Sequence, residues 1–145
     1  MIKQLAHVNF FSDRCEEMLD FYVNKLGLEI KFTMDDERGI PFGWYVDCGQ
    51  RTFIEIFDQK RAIRKWGGQV VKLEPGNRYR HLCFEVEDLA GFKKNLEDTG
   101  VSVTPIKVGM DNSNQAWIKD PDGNAIELME YAPTSFQLGA GKGAR

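Results

Sequence analysis

Residues 120–130, DPDGNAIELME, join a strong turn signal to an apolar strand that carries a carboxylate. Asp, Pro, Gly and Asn are residues that tight turns prefer, so residues 121–124 predict a turn between two strands. Glu127 lies in the apolar run that follows, and a short apolar run after a turn is typical of a buried strand. Burying an ionised carboxylate without a partner is costly, so we expect Glu127 to meet a compensating cation.

The same pattern occurs once earlier in the chain, which indicates an internal repeat. FIEI at residues 53–56 precedes AIEL at residues 125–128 by 72 residues, and HVNF at residues 7–10 precedes HLCF at residues 81–84 by 74 residues. Each HxxF segment leads into an acidic, helix-like stretch that ends at a glycine, a common helix stop. Two copies of one supersecondary unit explain why these two offsets are nearly equal.

Each copy predicts a strand, a helix and three further strands. Apolar residues spaced by three and four predict the first helix over residues 12–25, with Ser12 or Asp13 as its cap. The second helix is predicted over residues 89–98. The first strand is predicted near His7. Further strands are predicted at residues 29–34, 42–47, 51–57, 81–86, 101–108, 114–119 and 125–130.

These elements predict an α+β fold of two tandem βαβββ modules whose curved sheets form a cleft. Residues 1–58 are assigned to the first module and residues 79–132 to the second. Residues 59–78 are assigned to a linker and residues 133–145 to a C-terminal tail, so the two modules make one domain.

The bulk composition excludes several classes of protein. A net charge of -3 without a basic stripe argues against nucleic-acid binding, and the short basic cluster within residues 60–65 is expected to be a solvated loop. No apolar stretch is long enough to span a membrane, and the N-terminus lacks the apolar run of a signal peptide. Three cysteines without a CxxC spacing favour a reduced, cytoplasmic location.

The two histidines of the chain occupy equivalent positions of the two modules. Strand side chains alternate between faces, so if the first and last strands of a module are neighbours, its His and Glu can lie side by side. Imidazole and carboxylate together suit Zn²⁺, Ni²⁺, Co²⁺, Fe²⁺ or Mn²⁺. We therefore predict one divalent metal ion bound by His7, Glu55, His81 and Glu127. The alternative is a degenerate repeat that kept these residues without binding metal.

Together with FYVNKLGLEI at residues 21–30 and YRHLCFEVED at residues 79–88, these motifs resemble the vicinal oxygen chelate superfamily. This superfamily includes glyoxalase I, methylmalonyl-CoA epimerase, extradiol dioxygenases and the bleomycin- and fosfomycin-resistance proteins. The resemblance covers about residues 5–131. The ligand order His, Glu, His, Glu is most similar to glyoxalase I, the lactoylglutathione lyase type.

The resemblance implies a metal-dependent lyase or isomerase that acts through a metal-stabilised enediolate on a small oxygenated substrate. A thiol hemithioacetal of methylglyoxal is one candidate. It also implies that Glu127 and Glu55 move the proton, with Glu127 preferred as the base, and that the protein is a homodimer. Ni²⁺, Co²⁺ or Zn²⁺ is the expected ion, with Fe²⁺ or Mn²⁺ as alternatives, and no organic cofactor is expected.

Two other functions stay open at this point. Residues 9–12, NFFS, lack the arginine that helps bacterial glyoxalase I hold a glutathione carboxylate, which favours an epimerase or sugar-type isomerase and leaves the thiol unassigned. A drug-binding resistance protein without catalysis is the third candidate, although such proteins generally lack the metal ligands. The candidate substrate-binding residues are Asn9, Trp44, Phe53 and Trp117.

Overall fold

The first half of the chain forms one mixed four-stranded sheet in this computed structural model, which describes residues 5–75 and 81–138. Its strands follow the order β1-β4-β3-β2, with β1 parallel to β4 and the other pairs antiparallel. The elements are β1 (His7–Ser12), α1 (Cys15–Leu19) with a π-helical continuation (Asp20–Lys25), β2 (Glu29–Asp35), β3 (Pro41–Asp47), β4 (Phe53–Asp58) and α2 (Gln59–Trp66).

The second half repeats this arrangement in a sheet of order β5-β8-β7-β6. Its first and last strands, β5 and β8, are again parallel neighbours. The elements are β5 (His81–Glu85), α3 (Leu89–Asp98), β6 (Lys107–Val108), β7 (Asn114–Lys119), β8 (Ala125–Glu130) and a short 3-10 turn (Phe136–Leu138). The predicted α+β class and the two βαβββ modules are therefore confirmed.

The contacts divide the chain into two compact units, Met1–Pro75 (unit 1) and Gly76–Arg145 (unit 2). The division falls inside the predicted linker, whose first eight residues form α2. Part of the predicted tail is held within unit 2, because the buried hydroxyl of Ser135 accepts a hydrogen bond from the Ser113 hydroxyl at 2.9 Å. Residues 139–145 of that tail lie outside the described residues.

A helix packs on the sheet of each unit. In unit 1, α1 contacts β4, where Ile54 and Ile56 are buried together with Met18 and Tyr22 of the helical segment. In unit 2, α3 contacts β7 and β8. The nearly inaccessible side chains there are Leu89, Leu96, Ala116, Ile118, Ile126 and Leu128. Burial of this apolar surface is the main force that holds each unit together.

The structure corrects three local predictions. Ser12 ends β1, so the helix begins at Cys15 and has no side-chain cap. The strand predicted over residues 101–108 is reduced to β6, since Pro105 has no N–H with which to continue a ladder. The basic cluster near Arg61 is a helix rather than a loop, because Asp58 caps its first turn by accepting from the Arg61 amide at 2.8 Å.

The described residues contain no helix with the length and apolarity that crossing a lipid bilayer requires. The three cysteines, Cys15, Cys48 and Cys83, are free thiols, as their spacing predicts.

Gly43 of β3 is required by the close packing of a neighbouring aromatic ring. A Cβ at this position would lie 2.1 Å from Cε1 of Phe57, which is buried and packs edge-on against Tyr45. We expect Gly43→Ala to lower the free energy of unfolding by about 1–3 kcal/mol through overpacking. Urea unfolding followed by circular dichroism measures this.

Thr33→Ala, at an exposed position of the neighbouring strand, is the control for Gly43→Ala. Without the clash, an alanine should be at least as stable as glycine within a strand. An unfolding midpoint for Gly43→Ala that equals or exceeds that of the wild type would therefore contradict the packing argument.

Candidate metal centre

His7 and Glu55 meet because β1 and β4 are parallel neighbours. The register places His7 opposite Phe53 and Asn9 opposite Glu55, so all four side chains share one face of the sheet. Nδ1 of His7 lies 3.4 Å from Oε1 of Glu55. The Glu55 carboxylate is buried, whereas half of the His7 side chain is exposed. A buried acceptor is thus paired with an imidazole that solvent can reach.

His81 and Glu127 form the equivalent pair in unit 2. Cys83 lies opposite Glu127 in the parallel ladder of β5 and β8, in the place that Asn9 has in unit 1. Nε2 of His81 lies 3.3 Å from Oε2 of Glu127. Glu127 is 7% exposed and Glu55 is 6% exposed. The same strand geometry thus brings a His beside a Glu in both units.

Glu55 has two further polar neighbours. Nδ2 of Asn9 donates to Oε2 of Glu55 at 3.3 Å. Tyr45 of β3 lies directly opposite Glu55 in the antiparallel ladder. A hydrogen bond from the phenol to the Glu55 carboxylate, together with desolvation and the carboxylate charge, raises the pKa of Tyr45 to about 12.

Glu127 has different neighbours at the matching positions. Trp117 of β7 lies opposite it, and the Trp117 ring packs edge-on against His81 with centroids 4.8 Å apart. Although Cys83 as a whole is exposed, local desolvation and then the charge of Glu127 raise the pKa of its thiol to about 12. Cys83 therefore carries its proton at neutral pH beside the carboxylate.

The predicted substrate-binding residues divide between the two pairs, with one exception. Asn9 and Phe53 share the face of Glu55, and Trp117 shares the face of Glu127. Trp44 pairs with Ile56, which alternates with Glu55 along β4, so Trp44 lies on the opposite face from the carboxylate. The structure does not bring Trp44 to either pair.

Tyr45 is the site residue that the sequence reasoning missed. The signal was present, because the 72-residue offset that relates Glu55 to Glu127 also relates Tyr45 to Trp117. The pairing of both aromatic residues with the glutamates follows from the β3–β4 and β7–β8 registers. An aromatic residue beside the glutamate is thus a feature of both units.

Each pair brings together two side-chain atoms of the kinds that divalent metal ions take as ligands. Among residues 5–75 and 81–138, no group of three His, Cys, Asp or Glu side chains is placed to hold a metal ion. One imidazole nitrogen and one carboxylate oxygen within 3.4 Å of each other, with the carboxylate buried, fit half of a two-His, two-Glu donor set.

Comparisons with known proteins find one matching family and several similar proteins. The model of the Glyoxalase/Bleomycin resistance protein/Dioxygenase superfamily matches residues 4–128. A lactoylglutathione lyase of Pseudomonas aeruginosa is 30% identical over 143 residues, which cover 85% of this chain and 79% of that protein. The lactoylglutathione lyase of Escherichia coli O157:H7 is 27% identical over 143 residues, with 94% and 98% covered.

A solved structure supports the fold. The glyoxalase family protein from Enterococcus faecalis superimposes with a TM-score of 0.69 at 24% identity, covering 88% of this chain and 98% of that one. At this identity the likeness concerns the architecture alone.

Proposed function

Because this chain belongs to the Glyoxalase/Bleomycin resistance protein/Dioxygenase superfamily, we propose that it is a metal-dependent lyase or isomerase of the glyoxalase I type. The observation that carries the proposal is the duplicated His–Glu pair, with nitrogen–oxygen distances of 3.4 and 3.3 Å. The names of the lactoylglutathione lyase relatives support the reaction class.

In this proposal, His7, Glu55, His81 and Glu127 hold one divalent ion, with Ni²⁺, Co²⁺ or Zn²⁺ preferred. When bound, the ion would polarise two adjacent oxygens of the substrate and acidify the C–H bond between them. The isomerisation needs no oxidant or reductant, since one proton leaves a carbon and is returned to its neighbour. Glu127 and Glu55 are the candidate groups for this transfer, with Glu127 as the preferred base.

The surrounding side chains suit a small substrate with polar and apolar parts. We assign a hydrogen-bonding role to Asn9 and an apolar contact to Phe53 and Trp117. Trp44 is left out of this assignment because it faces away from Glu55. A hemithioacetal of methylglyoxal with a thiol is the proposed substrate class, and the thiol is the part that the experiment below identifies.

An epimerase or sugar-type isomerase is the second candidate. The specific observation in its favour is that residues 9–12, NFFS, lack an arginine for a glutathione carboxylate, and Asn9 instead contacts Glu55. The same proton transfer would then act on a substrate that is not a thiol adduct.

The deciding experiment combines metal analysis with turnover. Purified protein is expected to hold one divalent ion for each two His–Glu pairs and to convert methylglyoxal in the presence of glutathione or another thiol. Chelation should abolish turnover, and Ni²⁺, Co²⁺ or Zn²⁺ should restore it. Bound metal without turnover of any thiol adduct would favour the isomerase, whereas failure to bind any of these ions would contradict the metal centre.

The expected homodimer is checked by light scattering on the same sample. The cytoplasmic location stays a prediction from the cysteine pattern.

A further inference from the structure

The two buried glutamates differ in how firmly they are held. Glu55 lies beside His7, accepts from the Asn9 amide at 3.3 Å, and lies directly opposite Tyr45 of the neighbouring strand, whose phenol pKa it raises. Asn9 and Tyr45 flank Glu55 on β4 from β1 and β3, at register positions directly opposite it. A carboxylate that has polar partners on both neighbouring strands has less rotational freedom than one without them.

The Tyr45 ring is itself held in place by packing. It stacks on Phe32 with centroids 4.1 Å apart and an angle of 21° between the planes. Phe53 and Phe57 pack edge-on against it, with ring centroids 6.1 and 6.4 Å away. Rotation of the phenol away from Glu55 would disturb these contacts, so the donor is preorganised.

The matching positions in unit 2 carry weaker donors. Cys83 takes the place of Asn9, and a thiol is a poor hydrogen-bond donor. Trp117 takes the place of Tyr45 and packs against His81. Within the described part of unit 2, the residues directly opposite Glu127 on its two neighbouring strands therefore carry a thiol and an indole, where unit 1 has an amide and a phenol.

We infer that Asn9 and Tyr45 are positioning residues that fix Glu55 as a permanent metal-binding carboxylate and leave Glu127 as the carboxylate that moves the proton. The inference rests on the proposed function, and it assigns unequal tasks to two glutamates that the repeat makes equivalent. A base beside a metal must loosen its contact while it works, and Glu127 has fewer contacts to lose.

The first test removes each donor without changing the shape of the site. Tyr45→Phe deletes only the hydroxyl, and Asn9→Leu replaces the amide with an apolar group of similar size. We expect each to weaken the affinity of the metal-free protein for Zn²⁺ about 10-fold, since hydrogen bonds to charged groups have that magnitude. Competition with a chromophoric chelator measures the affinity, and thermal melting confirms that each variant is folded.

A matched control and a double variant separate positioning from general destabilisation. Tyr22→Phe removes the same hydroxyl from a buried tyrosine that packs with Ile54 and Ile56, on the face of the sheet opposite Glu55, and should bind Zn²⁺ as the wild type does. In the Glu55→Gln background, Tyr45→Phe should cause little further loss, because its partner carboxylate is gone. Unchanged affinity in both Tyr45→Phe and Asn9→Leu, or an equal loss in the Glu55→Gln background, would overturn the inference.

The second test transfers the amide to unit 2. Cys83→Asn places a donor opposite Glu127, as Asn9 lies opposite Glu55, and we expect kcat to fall about 10-fold while Zn²⁺ affinity is kept or improved. Cys83→Ala, measured alongside, separates loss of the thiol from gain of the amide. A kcat for Cys83→Asn equal to that of Cys83→Ala would contradict the division of tasks.

These outcomes are distinct from failure of the metal centre. If Glu55→Gln and His7→Ala bind Zn²⁺ as tightly as the wild type, the proposed metal centre itself fails. If those two variants lose affinity and the Tyr45 and Asn9 variants do not, the positioning role alone fails.

Discussion

Replacing Glu127 with Gln is expected to slow proton exchange at the reacting carbon of the substrate by about 10²–10⁴-fold, the usual contribution of a general base. The amide keeps the size of the side chain but cannot accept the proton. Glu127 is 7% exposed and lies 3.3 Å from His81, so a water molecule has little room to take over the role of the lost carboxylate. Deuterium uptake from D₂O into substrate and product, followed by NMR, measures the exchange directly.

Glu97→Gln is the matched control for this prediction. Glu97 is exposed on α3, which packs on the face of the sheet opposite Glu127, so it undergoes the same change of charge away from the carboxylate pair. It should exchange at the wild-type rate. If exchange is unimpaired in both Glu127→Gln and Glu55→Gln, neither glutamate is the base and the proposed chemistry is wrong.

Removing either histidine is expected to weaken metal binding by about 100-fold or more. Loss of a group that only supports a metal ligand lowers metal affinity 10–100-fold, and loss of the ligand itself should lower it at least as much. His7→Ala and His81→Ala each break one pair and leave the other intact. Metal content after dialysis against a weak chelator, and affinity by competition, measure the effect.

The stoichiometry of these variants distinguishes one shared ion from two separate ions. If both pairs serve one ion, either single substitution should remove nearly all the bound metal. Retention of half the wild-type metal in each variant would instead show that each pair binds its own ion, contrary to the four-ligand proposal. When the two variants are mixed and allowed to exchange subunits, activity returns only if one ion takes its two His–Glu pairs from different chains.

The repeat was readable from the sequence because it depends on spacing alone. HVNF and HLCF, and FIEI and AIEL, are separated by 74 and 72 residues, and the observed strands β7 and β8 have the predicted bounds. Alternation along a strand also indicated that Asn9 accompanies His7 and that Cys83 accompanies His81. These features concern neighbours along the chain, which is the information that a sequence carries directly.

The partners of each glutamate across the sheet could not be obtained in this way. The sequence reasoning chose Trp44, and the register of β3 against β4 places Tyr45 opposite Glu55 instead. A shift of one residue in register exchanges the two faces of a strand, and that register is set by pairing between distant segments. Spacing thus established two His–Glu units, whereas strand pairing selected the donors that distinguish Glu55 from Glu127.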